Sequence, residues 1–161
     1  MTTLKRCIEF LEAGRIRYAH TRHSIAYTAR EVAAAEHLSA HKLTKIVVFL
    51  SENGFGLALV PGDYLVHLEV LRSLQSVTWI RLATEQEIAE LFPECELGAM
   101  PAFGNLFDLP VYVDSGVSSQ EFIAFNAGTH RDVIHMSFAD FRHVVDPRIA
   151  TFAYKEIEEF A

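Results

Sequence analysis

The sequence predicts a mixed α+β fold, with helices packed around one central sheet. Short apolar runs bounded by turn residues are typical of buried strands, and they alternate along the chain with amphipathic stretches of helical period. Neighbouring apolar runs are joined by turns that favour antiparallel hairpins, which fits an α+β or mixed α/β class. The 161 residues contain no internal repeat, linker or low-complexity segment, so we expect one domain over residues 1–161.

The first 63 residues contain three clear signals of secondary structure. Gly14 follows an amphipathic stretch as a stop signal, and Thr28 and Glu31 have the spacing of a capping box, in which each side chain bonds the other residue's main-chain amide. The Glu-Asn-Gly sequence at 52–54 is a strong hairpin signal between two apolar runs. The elements expected here are, in order, a helix over 3–13, a strand over 17–20, a helix over 28–38, and strands over 45–50 and 55–60.

The remaining residues continue the alternation of helices and strands. A second capping box at 84–87 opens a helix that Pro93 ends, and residues 137–140 resemble such a box with aspartate in place of glutamate. After Pro147 the acidic tail is expected to be helical. The elements expected here are, in order, a helix over 66–74, a strand over 77–81, a helix over 84–92, strands over 111–114, 122–126 and 133–136, and a helix over 137–145.

Composition narrows the classes of function. The net charge of −7 argues against indiscriminate nucleic-acid binding. However, residues 1–45 hold eight Lys/Arg and four Asp/Glu, which leaves room for a local basic face. No stretch approaches the ~18 apolar residues needed to span a membrane. Two cysteines do not make a disulfide framework, so we expect reduced thiols in a cytoplasmic protein. The candidate members of the basic face are Arg6, Arg15, Arg17, Arg22, Arg30 and Lys45.

Two common kinds of catalytic site are poorly supported by the sequence. The pairs His20/His23 and His37/His41 lack the cysteines or clustered carboxylates that would complete a tetrahedral site, and HExxH and CxxC do not occur. There is no G-x-S-x-G elbow, and Cys7 and Cys95 lie in helical contexts. We therefore expect neither a metal nor any other cofactor.

Lys45 is the most informative single residue. It stands at the head of a predicted strand, where a rigid element could hold its charge against an anion, although a strand-end lysine also commonly extends to water. The loop at 98–104 contains Gly98, Pro101 and Gly104, and it could present main-chain N–H groups to a carbonyl oxygen or serve only as a turn. His130 follows a further glycine and could orient substrate, shuttle a proton or make a structural hydrogen bond.

Taken in order, these segments resemble the YbaK/ProX family of aminoacyl-tRNA deacylases. These are trans-editing proteins related to the insertion domain of bacterial prolyl-tRNA synthetase. The resemblance covers roughly residues 15–145, and it depends on the order and spacing of the motifs more than on any one of them. The matching stretches are Thr-Ala-Arg-Glu-Val-Ala at 28–33, Lys-Ile-Val-Val at 45–48, Gly-Ala-Met-Pro-Ala-Phe-Gly at 98–104, Phe-Asn-Ala-Gly-Thr-His at 125–130, and Ile-His-Met-Ser-Phe-Ala-Asp-Phe at 134–141.

The resemblance implies a central, mostly antiparallel, barrel-like sheet surrounded by helices, and it assigns roles to residues. Lys45 matches the family's invariant lysine, whereas Ile46 stands where the alanine-editing subgroup favours asparagine. We expect Lys45 to hold the phosphate or ribose at the tRNA end, and main-chain amides around 99–102 and at Gly128 to hold the ester carbonyl. The expected catalytic set is Lys45, Gly98, Ala99, Met100, Pro101, Gly128 and His130. The expected substrate-binding set is Ile46, Ala102, Phe103 and Thr129.

The implied function is trans-editing, in which the ester bond of a mischarged aminoacyl-tRNA is hydrolysed without a metal. A small amino acid such as Ala, Ser, Thr or Cys on tRNA(Pro) is the expected substrate, and the expected partners are the 3′ acceptor end of the tRNA and an aminoacyl-tRNA synthetase, not a membrane. Ile46, Met100 and Phe103 are candidates for the pocket wall or for ordinary core packing. The alternatives are a binding module that does not catalyse and a histidine-based metallohydrolase.

Overall fold

The computed structural model describes residues 1–155 and contains helices, strands and two short 3₁₀ turns in alternation. The helices are α1 Thr3–Ala13, α2 Ala29–Ala35, α3 Leu68–Gln75, α4 Glu85–Leu91, α5 Ser115–Ser118 and α6 Phe138–Val145. The strands are β1 Ala19–Arg22, β2 Thr44–Ser51, β3 Gly54–Pro61, β4 Tyr64–Val66, β5 Ile80–Leu82, β6 Val111–Asp114, β7 Phe122–Asn126, β8 Asp132–Ser137, β9 Arg148–Ala150 and β10 Ala153–Lys155.

The described strands form three sheets. The largest has the order β5-β2-β3-β6-β9, in which β2 is antiparallel to both of its neighbours and β6 is parallel to both of its own. A second sheet, β1-β8-β7, and a third, β10-β4, are antiparallel throughout. A parallel bridge between Leu43 and Ala124 connects the start of β2 to β7. The mixed, mostly antiparallel class predicted from the sequence is confirmed. The described strands form three separate sheets and not one continuous closed barrel.

The predicted hairpin is present, and it sets the register of the largest sheet. Ser51 pairs with Gly54 around a two-residue connection, and Lys45 pairs with Val60 at the other end. Gly54 has φ +101°, a conformation that glycine adopts without steric cost. Because side chains alternate along a strand, Thr44, Ile46 and Val48 share one face of β2 while Lys45 and Val47 share the other.

A cluster of aromatic rings anchors the loop that contains the predicted glycine-proline motif. The ring of Phe103 is fully buried and lies 5.2 Å, centroid to centroid, from both Phe10 and Phe125. Its edge-to-face geometry with Phe125 adds to the ~1.5–3 kcal/mol expected from burying such a side chain. The C-terminal half of the 98–104 loop is therefore fixed by the core.

The capping signals located three helix starts accurately. Thr28 and Thr84 each form the complete capping box predicted for them, and the Ser137 side chain accepts a 3.1 Å hydrogen bond from the amide of Asp140. Such caps contribute about 1 kcal/mol each. The helix ends were less accurate, because α2 stops at Ala35 and not near residue 38.

The prediction of a helical tail is wrong for residues 148–155, which form β9 and β10. The carboxylate of Asp114 accepts hydrogen bonds from the amides of Phe152 (2.8 Å) and Ala153 (2.9 Å), and the Phe152 ring is buried. These tertiary contacts outweigh the local helical preference of the segment. The rest of the predicted helical tail, 156–161, lies outside the described residues.

Three smaller expectations also need correction. Strand β4 was not expected, because it depends on pairing with β10, far along the chain. The helix after β4, α3, begins at Leu68 and not at 66. The short helix α5, Ser115–Ser118, which the Asp114 side chain caps, was not among the expected elements. The first strand lies at 19–22 and not at 17–20, in register with β8.

Candidate active site

A cavity of about 320 Å³ opens beside the first half of β2. This volume is at the lower end of the range of small-molecule sites, so the cavity suits a ligand about the size of an amino acid. Residues 44–48 form one wall, and Gly98 and Met100 contribute to another. The remaining lining residues are Tyr27, Ala29, Leu43, Leu82, Ala83, Ile88 and Asn126.

Lys45 lies in the wall of this cavity, as the second residue of β2. Its ammonium donates a 2.5 Å hydrogen bond to the carbonyl oxygen of Tyr64, the first residue of β4. The pairing of Lys45 with Val60 fixes the main chain, and the Tyr64 carbonyl fixes the end of the side chain. The lysine side-chain nitrogen is thus held at a defined place beside the cavity.

The glycine-proline loop places alternate residues on the cavity. Gly98 and Met100 line it, whereas Ala99 is completely buried and donates its amide to the carbonyl oxygen of Glu96 at 3.0 Å. Within residues 1–155, the main-chain N–H groups of Gly98 and Met100 have no hydrogen-bond acceptor. Gly98 has φ +89°, a conformation that disfavours a side chain. The loop therefore presents two unpaired N–H donors from residues that line the cavity.

The second glycine loop supports the first and does not form a wall of the cavity. The Gly128 amide donates to the Ala99 carbonyl at 2.8 Å, and the Gly128 carbonyl accepts from Glu96 at 2.9 Å. A Cβ on Gly128 would lie 2.7 Å from the Cβ of Thr3, so the glycine is required for close packing against α1. The Ala99 and Gly128 amides, which were expected to donate to substrate, both have acceptors within the protein. Pro101 is buried and has no N–H.

His130 is 7% exposed and holds the turn that leads to Gly98. Its Nε2 is 2.8 Å from the carbonyl oxygen of Leu97, and its main-chain amide donates to the carboxylate of Glu96 at 3.1 Å. If Nε2 carries the proton, as bonding to a carbonyl requires, Nδ1 is an acceptor, and that buried atom has no partner among the described residues. The Tyr27 ring packs over the imidazole with a centroid distance of 4.9 Å.

The Thr129 side chain belongs to a hydrogen-bonded turn and not to the cavity lining. Its hydroxyl donates to Asp132 Oδ2 at 2.5 Å, and His20 Nε2 lies 2.6 Å from the other carboxylate oxygen. Burial opposes ionisation of Asp132, but the hydrogen bonds from Thr129 and His20 outweigh it and hold the pKa of the carboxyl below its ordinary value. Thr129 is not among the residues that line the cavity, and its expected contact with substrate stays a prediction.

The expected wall residues divide into two groups. Ile46 and Met100 line the cavity. Ala102 and Phe103, which were expected to contact substrate, are completely buried in the core and are not part of the cavity lining.

The sequence argument missed four lining residues that bear on chemistry or shape, namely Tyr27, Thr44, Val48 and Asn126. Two of them carried a usable signal, because the two-residue period of a strand puts Thr44 and Val48 on the same face as Ile46. Asn126 is a polar residue at the end of an apolar strand, directly before the second glycine loop. Tyr27, with 62% of its surface exposed, lies in a segment without regular structure and gave no periodic signal.

One of the arginines expected in the basic face, Arg6, packs against the protein. Arg6 donates to the Leu106 carbonyl and lies 4.5 Å above the ring of Phe107, so this side chain is engaged in packing. In the part of the chain that the structure describes, no three His, Cys, Asp or Glu side chains form a group that could hold a metal ion. Within the same residues, no helix is both long and apolar enough to cross a membrane.

Comparison with known proteins identifies relatives of this chain. A family model described as the aminoacyl-tRNA editing domain matches residues 23–144, more than half of the chain. Proline–tRNA ligase of Bacillus mycoides is 27% identical over 124 residues, a match that covers 71% of this chain and only 22% of the ligase. The corresponding ligase of Bacillus cereus is 26% identical with the same coverage.

Solved structures resemble the whole described fold. One, described as a proposed trans-editing enzyme for prolyl tRNA synthetase, has a TM-score of 0.81 at 25% identity, and the match covers 98% of this chain and 99% of the other. A protein described as hypothetical has a TM-score of 0.85 at 18% identity, covering 92% of this chain and 99% of its own. The second likeness bears on the fold alone.

Proposed function

Because this chain belongs to the family described as the aminoacyl-tRNA editing domain, we propose that it is a trans-editing deacylase, which hydrolyses the ester bond of mischarged aminoacyl-tRNA. The proposed substrate is a small amino acid, Ala, Ser, Thr or Cys, on tRNA(Pro). The observation that carries the proposal is one small cavity lined on one side by Lys45 and on another by Gly98 and Met100, whose main-chain N–H groups have no acceptor among the described residues.

The two N–H groups suit the charge that develops during ester hydrolysis. Attack of water on the ester carbonyl produces a tetrahedral oxyanion, which donors held in advance by the protein stabilise without reorganising. The amides of Gly98 and Met100 fill this role in our proposal, and the hydrogen bonds of Ala99 and Gly128 keep them in place. Losing one such donor typically costs ~2.7–4 kcal/mol of barrier.

Lys45 positions the tRNA end in this proposal. Its charge lies beside the cavity, fixed by the Tyr64 carbonyl, where it attracts the terminal phosphate or a ribose oxygen. Fixing the ribose places the ester carbonyl against the loop amides, which converts a chance encounter into a defined geometry.

Water activation relies on the substrate. Among the described residues that line the cavity there is no Asp, Glu, His or Cys. Burial raises the pKa of both cysteine thiols to about 12, so neither is a ready nucleophile near neutral pH. We propose that a hydroxyl of the terminal ribose helps to activate the water, and that no metal is required.

Selection of the amino acid follows from cavity size. Ile46, Val48 and Ile88 supply an apolar lining within about 320 Å³, which leaves little room beyond a small side chain and the ester. Steric exclusion discriminates against larger side chains more strongly than the ~1–3 kcal/mol that one extra methylene supplies by attraction. A synthetase partner is part of the proposal, because the curated relatives carry the matching segment within a much longer ligase.

The test is deacylation of tRNA(Pro) charged in turn with Ala, Ser, Thr and Cys, in the presence of a chelator. We expect hydrolysis of at least one substrate and a loss of tenfold or more in Lys45→Ala. Lys42→Ala is the matched control, because Lys42 lies three residues earlier and does not line this cavity. Hydrolysis within twofold of the wild type in Lys45→Ala contradicts the role of the lysine. Binding without hydrolysis favours the non-catalytic module, and hydrolysis only without chelator favours the metallohydrolase.

A further inference from the structure

Two polar atoms in the cavity wall are buried without a hydrogen-bond partner. They are the Thr44 hydroxyl and the Oδ1 atom of Asn126, neither of which has a partner among the described residues. Both residues line the cavity, and Thr44 is only 3% exposed. An unsatisfied buried polar atom costs roughly 1–3 kcal/mol, so two of them in one small cavity need an explanation.

The fold brings the two residues to neighbouring strand ends, both of which line the cavity. Thr44 begins β2 and Asn126 ends β7, and the parallel bridge between Leu43 and Ala124 holds the two strands side by side just before these residues. Both oxygens have almost no surface that water can reach, although both residues line the cavity.

The polar groups of the cavity fall into two chemical sets. Gly98 and Met100 contribute N–H donors, which match a carbonyl oxygen. The amide oxygen of Asn126 is an acceptor, and the hydroxyl of Thr44 can accept as well as donate, so this pair matches a group that carries hydrogens. In an aminoacyl ester, the group of that kind next to the carbonyl is the α-ammonium.

We propose that Thr44 and Asn126 bind the α-ammonium group of the aminoacyl moiety, so that the site selects esters with a free amino group and rejects N-acylated ones such as peptidyl esters. This inference rests on the proposed deacylase function and specifies its substrate class. An ammonium carries three N–H donors and no acceptor, which complements two oxygen acceptors. An N-acyl group removes the charge and adds bulk that this small cavity does not accommodate.

The positive charge of Lys45 does not oppose this assignment. Successive side chains leave a strand on opposite faces, so Thr44 and Lys45 point away from each other across β2. The lysine ammonium is held by the Tyr64 carbonyl on its own face. The Thr44 hydroxyl and the lysine ammonium therefore leave β2 on opposite faces.

The first experiment compares three esters on the same tRNA: alanyl, N-acetylalanyl and lactyl. The lactyl ester replaces the ammonium with a hydroxyl of similar size, so it removes the charge without adding bulk. Each rate is divided by the spontaneous rate in the same buffer, because the ammonium itself makes the ester labile. We expect the enzymatic acceleration to be at least tenfold greater for the alanyl ester than for either of the others. Equal acceleration of alanyl and lactyl esters overturns the proposal.

Variants then locate the effect. Thr44→Val keeps the shape of the side chain and removes its hydroxyl, and Thr44→Ser restores a hydroxyl; Asn126→Leu removes the amide. We expect Thr44→Val and Asn126→Leu to lower kcat/KM for the alanyl ester roughly tenfold, and to change that for the N-acetyl ester less than twofold. Thr44→Ser retains most of the wild-type preference. An equal loss of kcat/KM on both esters overturns the proposal. No loss on either ester also overturns it, because water then satisfies the two oxygens.

A binding measurement separates failure of this inference from failure of the proposed function. The probes are acceptor-stem minihelices that end in 3′-amino-3′-deoxyadenosine, linked to alanine or N-acetylalanine through an uncleavable amide. If the wild type hydrolyses no ester but binds the free-amine probe about tenfold more tightly, and Thr44→Val abolishes that difference, the inference stands and the deacylase proposal fails. Equal binding of the two probes, or binding of neither, overturns the inference.

Discussion

The main-chain amide of Gly128 donates a 2.8 Å hydrogen bond to the carbonyl oxygen of Ala99, and this contact makes two loops that are distant in the sequence into one unit. Together with the return bond from Glu96 to Gly128, it directs the polar groups of Ala99 away from the cavity. The neighbouring amides of Gly98 and Met100 are left without acceptors among the described residues. The second glycine loop thus acts on the cavity through the first.

Gly128→Ala should disrupt this coupling, and Gly54→Ala is its control. Both glycines have positive φ, at +95° and +101°, so an alanine at either position is strained by about 1–2 kcal/mol. Only at Gly128 does the new Cβ meet another group, the Thr3 side chain at 2.7 Å, while nothing lies within 4 Å at Gly54. We expect urea unfolding to show a further loss of about 1–3 kcal/mol for Gly128→Ala, together with a fall in kcat that Gly54→Ala does not cause. Equal losses in the two variants contradict the coupling.

His130 should behave as a positioning residue. Its bond to the Leu97 carbonyl holds the segment that leads to Gly98, and it is not part of the cavity lining. Replacing it with phenylalanine removes that bond, and we expect kcat to fall about tenfold with little change in KM. The measurement that decides is the pH profile of kcat, which should keep the same shape in His130→Phe and in the wild type. If one limb of the wild-type profile is missing in the variant, His130 exchanges a proton during the reaction.

The family and most elements could be predicted from the sequence, because their causes are local. The order of motifs identified the editing family, and the family match confirms it. Capping boxes fixed the helix starts at Thr28 and Thr84, and the Glu-Asn-Gly turn fixed the first hairpin. The tail could not be predicted, because the strand that contains Ala153 depends on β4 and on the distant carboxylate of Asp114.

The sequence could predict which segments form the site, but not which of their atoms are available to a ligand. A motif can place Gly98 and Met100 near Lys45, but it cannot tell which amides of a loop are already bonded. That depends on the Gly128 carbonyl and amide, which lie about thirty residues further along the chain. Phe103 illustrates the same limit, since only packing against Phe10 and Phe125 assigns its ring to the core.

Asp132 should make stability depend on pH in the acid range. Its pKa lies below the ordinary value of 3.8 in the folded protein, because the hydrogen bonds from Thr129 and His20 favour the charged form despite burial. Its contribution is therefore complete at neutral pH and is lost as the pH falls through 3.8 towards the lower folded value. We expect Asp132→Asn to cost about 1–3 kcal/mol in urea unfolding at pH 7. The difference from the wild type should shrink by pH 3. Asp63→Asn, which affects the carboxylate beside His41, is the control, and a constant difference between pH 7 and pH 3 contradicts the assignment.

The two cysteines should be inert in the folded protein. Burial, with a smaller contribution from neighbouring groups, raises the pKa of Cys7 and of Cys95 to about 12, so both thiols stay protonated well above neutral pH. We expect iodoacetamide at pH 7.5 to label the native protein slowly and the urea-unfolded protein rapidly. Cys95→Ser should deacylate within about twofold of the wild type, since a serine hydroxyl can replace the thiol as a donor to the Glu96 carbonyl. Rapid labelling of one native thiol, together with loss of activity, points to a covalent mechanism.

Ile46 and Phe103 offer a direct test of which residues set the size of the amino-acid pocket. Ile46 lines the cavity and Phe103 is confined to the core, although both are apolar and lie close to the predicted motifs. Ile46→Ala enlarges the cavity, and we expect it to raise the rate of hydrolysis of valyl-tRNA relative to alanyl-tRNA roughly tenfold. A change of this size matches the ~1–3 kcal/mol of discrimination that one methylene supplies in an apolar pocket. Phe103→Leu should lower the melting temperature, because it leaves a void among the aromatic rings, but it should not change that ratio. If Phe103→Leu shifts the ratio as much as Ile46→Ala does, selectivity depends on the whole core and not on the residues that line the cavity.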